Sequence, residues 1–173
     1  MHIGSDFIGK PIFTVDKGKK IGIVKDIYFD WALESLKGVF LGLEGLLRQK
    51  TRFIDAGDIV ELGHDALLVD RADVKQVGDG NGAYRDWLRR QRVIGRPITT
   101  SGGTLIGSVG DVYLSSSGAV RAVALAKVQF KSPVASAGYV MRDVVLDVGD
   151  DDVPMKVNLA KAERHFHDLF QAV

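Results

Sequence analysis

The chain has 173 residues, 46% of them hydrophobic and 26% charged, a balance that allows buried cores and does not suggest disorder. Lysine and arginine total 23 against 22 aspartates and glutamates, so the net charge of +1 creates no global field for nucleic acid or anionic lipid. The absence of cysteine removes disulfides, thiolate metal sites and cysteine nucleophiles.

The first six residues, Met1 to Asp6, lack a basic segment followed by the continuous apolar run of a secretion signal. No later apolar stretch approaches the roughly 20 residues needed to cross a bilayer. The expected location is therefore the cytoplasm.

Ile8-Gly9-Lys10-Pro11-Ile12, followed by Thr14, recurs as Ile94-Gly95-Arg96-Pro97-Ile98, followed by Thr100. After a one-residue gap, Gly18, Ile21-Gly22, Val24 and Asp26-Ile27-Tyr28 match Gly103, Ile106-Gly107, Val109 and Asp111-Val112-Tyr113. This spacing exceeds the unit length of solenoid repeats, so each copy is expected to be a small domain with its own core. Further on, Gly38-Val39-Phe40-Leu41 is paired with Ala119-Val120-Arg121-Ala122, and Asp58-Ile59-Val60 with Asp143-Val144-Val145.

Taken in chain order, Pro11 cannot donate to a ladder and is placed at a strand start or edge, as is Pro97. Asp16 to Lys19 and Thr100 to Gly103 read as hairpin turns. The apolar sets Ile21, Val24, Ile27, Phe29 and Ile106, Val109, Val112, Leu114 break strict alternation in the same way. Their β-branched content argues against helix, so a strand bent at a bulge is expected. Sheets this small are expected to curl closed into compact barrels.

Gly78 to Gly82 reads as a flexible turn and residues 83–92 as a short linking helix, with Tyr84, Trp87 and Leu88 on one face. Leu159 to Phe170 reads as an amphipathic terminal helix with Asn158 as its N-cap. The fold expectation is mainly β: two small barrels in tandem, over residues 1–77 and 93–157, joined by a linker over 78–92 and followed by a helix over 158–173.

The paired blocks, with Arg52 to Ile59 and Gly63 to Val69, resemble the PRC-barrel family. The resemblance covers about residues 6–75 in full and about 93–157 in part. That family is named for the cytoplasmic part of the photosynthetic reaction-centre H subunit and includes the carboxy-terminal domain of the ribosome maturation factor RimM. The resemblance implies a β-barrel used for docking to proteins or ribosomal particles, with no shared catalytic residues.

Little in the sequence points to chemistry. His165 and His167 diverge on the proposed helix, and no third ligand accompanies them. Asp147, Asp150, Asp151 and Asp152 lack the ligand order of a calcium loop and read as a solvated turn, so no metal or cofactor is expected. Ser115 to Gly118 reads as a turn, without the spacing of a nucleophile elbow. Asp26 and Asp111, equivalent in the two copies, read as caps on backbone N–H groups beside the bulge.

Two segments are candidate partner-binding surfaces. In the linker, Arg85, Arg89, Arg90, Arg92 and Arg96 stand against the single Asp86, which suits carboxylate or phosphate, or else forms a solvated face. In the 42–52 loop, Leu46 and Leu47 precede Arg48, Lys50 and Arg52, which suits a membrane surface or a partner groove, or else closes the barrel end. The functional expectation is a non-enzymatic cytoplasmic adaptor docking to a protein complex. The alternatives are a ribosome-maturation-like factor contacting ribosomal protein or RNA, and a peripheral component of a photosynthetic-type membrane complex; a homo-oligomer is compatible with each.

Overall fold

The two prolines open strands at matching places in a computed structural model that describes residues 1–45, 50–78, 83–129 and 133–164. The first half runs through β1 (His2–Ile3), β2 (Pro11–Thr14), β3 (Lys20–Ile23), β4 (Asp26–Phe29), β5 (Leu36–Glu44), β6 (Lys50–Asp55), β7 (Ile59–Leu62), β8 (Leu67–Val69) and β9 (Gln76–Gly78). The second half runs through β10 (Leu88–Arg89), α1 (Arg90–Val93), β11 (Pro97–Thr100), β12 (Leu105–Leu114), β13 (Val120–Ala126), α2 (Pro133–Ala137), β14 (Tyr139–Met141), β15 (Val145–Asp147) and β16 (Met155–Val157). The fold is mainly β, as expected.

One pairing pattern occurs twice. β2 lies antiparallel to β3 and parallel to β8; β11 lies antiparallel to β12 and parallel to β16. Both turns sit where the sequence places them: Gly18 and Gly103 adopt φ of +61° and +84°, and Thr14 Oγ1 and Thr100 Oγ1 accept the N–H groups of Lys19 and Thr104. The bent strand is also present. In the first half it divides into β3 and β4 on either side of Val24-Lys25; in the second it is continuous β12, whose register shifts between Val109 and Asp111. The bulge turns Val24, Ile27 and Phe29, and likewise Ile106, Val109, Val112 and Leu114, into the core.

The register corrects the two later alignments. Ile27 faces Val39 and Tyr28 faces Gly38, whereas Val112 faces Val123 and Tyr113 faces Ala122; Gly38 therefore corresponds to Ala122, not Ala119. Ile59 faces Val69 and Val145 faces Val157, so Ile59 corresponds to Val145, not Val144.

Two further expectations change. The strands do not close on themselves among the described residues: they form sheets ordered β3-β2-β8-β7, β10-β4-β5-β6-β9 and β14-β13-β12-β11-β16-β15, with β1 added beside β12. Each half instead covers an edge of the other. His2 and Ile3 pair with Leu114 and Tyr113 of the second half, while Leu88 and Arg89 pair with Phe29 and Tyr28 of the first. The linker is accordingly not one helix but a 3₁₀ turn (Ala83–Asp86), β10 and the four-residue α1. Burial overrides helix propensity here. Leu88 is fully buried on β10, worth about 2 kcal/mol, while Trp87, just ahead of the strand, packs on Tyr28 and Phe53.

The two halves also meet directly. Ser35 bridges Ala119 antiparallel; Leu36 N–H donates to Gly118 O at 2.8 Å, and Val120 N–H donates to Glu34 O at 2.8 Å. Leu36 and Val120 are counterparts, facing Phe29 and Leu114. Such reciprocal contacts are those of an isologous, twofold-like interface within one chain. Most of the buried apolar residues of both halves form one continuous cluster. At the far end, residues 159–164 are helical and Asn158 Oδ1 accepts Lys161 N–H at 3.0 Å, the expected N-cap. The rest of the expected terminal helix, with His165 and His167, lies outside the described residues.

Candidate functional site

The arginine-rich linker lies across the junction of the halves, and four of its five arginines engage this chain's own acceptors. Arg90 grips Asp111 as a fork, Nε to Oδ1 at 2.9 Å and Nη2 to Oδ2 at 2.8 Å. Arg89 reaches the equivalent Asp26 at 3.0 Å and lies 4.3 Å from the Phe40 ring centroid. Arg92 pairs with Asp151 at 2.7 Å. Arg96 is buried, its Nη1 donating to the carbonyls of Val148 and Gly149 and its Nη2 to that of Arg92. Arg85 is exposed.

Strand pairing explains this placement. β10 sets Arg89 opposite Tyr28, two residues from Asp26, and the turn into α1 carries Arg90 across to Asp111. Both aspartates also act as the expected caps: Asp26 Oδ1 accepts Ile27 N–H at 2.9 Å and Asp111 Oδ1 accepts Val112 N–H at 2.7 Å. Asp111 receives Ser5 N–H as well. Burial alone would raise the Asp111 carboxyl, but the hydrogen bonds from Arg90, Ser5 and Val112 outweigh it and hold the group below the usual carboxylate range. Gly4 permits the approach, since a Cβ there would stand 2.9 Å from Asp111 Oδ1. Burial pulls the Arg96 guanidinium down, although three carbonyls receive it.

The cation of the repeated Gly-cation-Pro block has one role in both halves. Lys10 Nζ donates to Gly63 O at 2.9 Å in the loop between β7 and β8, and Arg96 holds the loop between β15 and β16. The acidic turn at the second loop caps itself: Asp147 Oδ1 accepts Gly149 N–H, and Asp150 Oδ1 accepts the N–H groups of Asp152 and Val153.

In the second candidate surface, Leu46, Leu47 and Arg48 lie outside the described residues. Lys50 and Arg52 stand on β6; Lys50 is exposed, and Arg52 Nε approaches Glu44 Oε2 at 3.7 Å across the hairpin. Tyr84 and Trp87 pack on Phe53, and Trp87 also on Tyr28, in a second apolar cluster on the outer face of β4, β5 and β6. Burial there pushes the Tyr28 phenol up to about 12.

Sequence reasoning missed which strands are outermost in their sheets among the described residues. Val60 on β7 is 61% exposed, Leu146 on β15 60%, Val77 on β9 46% and Met141 on β14 37%; each strand is outermost in its sheet. No periodicity marks these residues, because edge position depends on sheet order. Among the described residues, no helix is long and apolar enough to cross a membrane.

The pairing pattern and the edges define a mainly β protein in which one strand motif occurs twice around a shared core. A PRC-barrel domain is detected over residues 1–75. No curated protein matches the chain.

Proposed function

We propose that the protein is a non-enzymatic cytoplasmic adaptor of two tandem PRC-barrel domains, the second over residues 93–157, that docks to a protein complex by its sheet edges. The observation that carries this reading is the exposed apolar side chain on each of the outer strands β7, β9, β14 and β15. An outer strand offers unpaired backbone donors and acceptors to another chain, and alternate side chains supply selectivity. The relation to the reaction-centre H subunit and the RimM carboxy-terminal domain belongs to the same proposal.

The linker arginines support RNA binding less well, because Arg89, Arg90, Arg92 and Arg96 each have an acceptor in this chain. The test is recovery of tagged protein from host lysate, with and without RNase, beside a variant carrying Val60→Lys, Val77→Lys and Leu146→Lys. Docking at edges predicts the same protein set with or without RNase and its loss from the variant. Ribosomal proteins released by RNase and retained by the variant would replace this reading with the ribosomal one.

A further inference from the structure

The twofold-like junction creates two related clefts, and the chain supplies a guanidinium to one of them. Arg142 is the first residue of the 3₁₀ turn Arg142–Val144 that leads into β15. Its Nε donates to Leu33 O at 2.9 Å, its Nη2 to Ala32 O and its Nη1 to Val145 O, and Glu34 Oε1 lies 3.8 Å away. The side chain thus ties β15 to the turn over residues 30–35 of the other half.

The counterpart position is Ala56, first residue of the 3₁₀ turn Ala56–Asp58 that leads into β7. The counterpart turn is Ser115 to Ala119. Where Arg142 stands in one junction, the other has only a methyl group, and a cleft of about 190 Å³ opens between Ala56, β7 and Ser116 to Gly118. That is smaller than the roughly 300–1,000 Å³ of small-molecule pockets, so it suits one side chain. Its charged lining residue is Glu61, on β7. Its wall is β7, the outermost strand of its sheet, whose Val60 is 61% exposed.

We infer that this cleft is a receptor for an arginine side chain carried by an extended segment of a partner protein, which adds as a strand to β7. The inference rests on the docking reading and names its partner chemistry. The segment pairs with the outer edge of β7, lays an apolar residue on Val60 and sends a guanidinium toward Glu61 and the Ser116-Ser117 turn. A guanidinium fits because it is planar, offers several donors in a fixed fork and keeps its charge.

The test uses the full chain, labelled with nitrogen-15, and an acetylated, amidated seven-residue peptide of alternating valine and threonine around one central arginine. The control peptide has neutral citrulline in its place. Amide shifts are expected at Ile59 to Leu62 and Ser116 to Gly118, with at least tenfold weaker binding of the citrulline peptide. Ala56→Arg restores the internal guanidinium and should block binding. Glu61→Gln, at an exposed position, should weaken binding severalfold with the fold intact. Equal binding of both peptides, or unchanged binding by folded Ala56→Arg, overturns the arginine receptor. Equal binding at β7 would still leave edge docking standing, whereas edge docking fails when the triple-lysine variant recovers the same proteins as the unmodified chain.

Discussion

Arg90 and Asp111 face one another as a two-pronged pair, with 15% and 12% of their side chains exposed. Removing one partner from so enclosed a pair leaves the other charge poorly solvated, so Arg90→Ala is expected to cost about 3 kcal/mol. Arg92→Ala breaks a pair at the surface and should leave the urea midpoint unchanged. Equilibrium unfolding of the two variants separates the roles; equal effects would contradict the geometry.

The same carboxylate makes stability depend on acid. Because the folded Asp111 pKa lies below its ordinary value of 3.8, the folded state binds fewer protons than the unfolded state as pH falls through that region. Its contribution is complete above the ordinary carboxylate value and disappears as pH drops through the lowered one. Urea midpoints between pH 7 and pH 2.5 should fall more steeply for the unmodified chain than for Asp111→Asn, the two curves converging at the acid end.

Gly38 lies beneath Trp87. A Cβ there would stand 2.5 Å from Ile54 O and 2.9 Å from the indole Cζ3, and the first of these obstacles is backbone. Gly38→Val should destabilise by about 1–3 kcal/mol and red-shift the Trp87 fluorescence as the ring is displaced. A Trp31→Phe background isolates that signal.

The exchanged strands predict mutual dependence of the halves. Produced separately, residues 1–78 and 83–173 should each show weak chemical-shift dispersion, since β4 lacks β10 in one piece and β12 lacks β1 in the other. Mixed or co-expressed, they should co-purify and regain the dispersion of the intact chain. Two independently well-folded pieces would mean that the junction contributes little.

Much of the local structure was legible because its determinants are close in sequence. The Gly18 and Gly103 turns, the strand starts at Pro11 and Pro97 and the caps at Asp26 and Asp111 involve neighbours a few residues away. The later alignment slipped because Val-Arg-Ala-Val offers two similar apolar frames, and the first half's turn carries an additional residue ahead of Ser35. The fate of the arginines was not legible: Arg90 meets Asp111 only because a linker segment expected to be helical instead becomes β10. Edge exposure at Val60 and the contrast between Ala56 and Arg142 likewise depend on sheet order and on the junction of the halves.

The pairing of Ile3 with Tyr113 also imposes an order of events on biosynthesis. Translation proceeds at roughly 5–20 residues per second, so β1 leaves the ribosome at least several seconds before its partner strand exists. During that interval the first half has neither β10 on β4 nor a place for its leading segment. The nascent chain is then most exposed to pairing with neighbours, and folding to the final state waits on the arrival of β12.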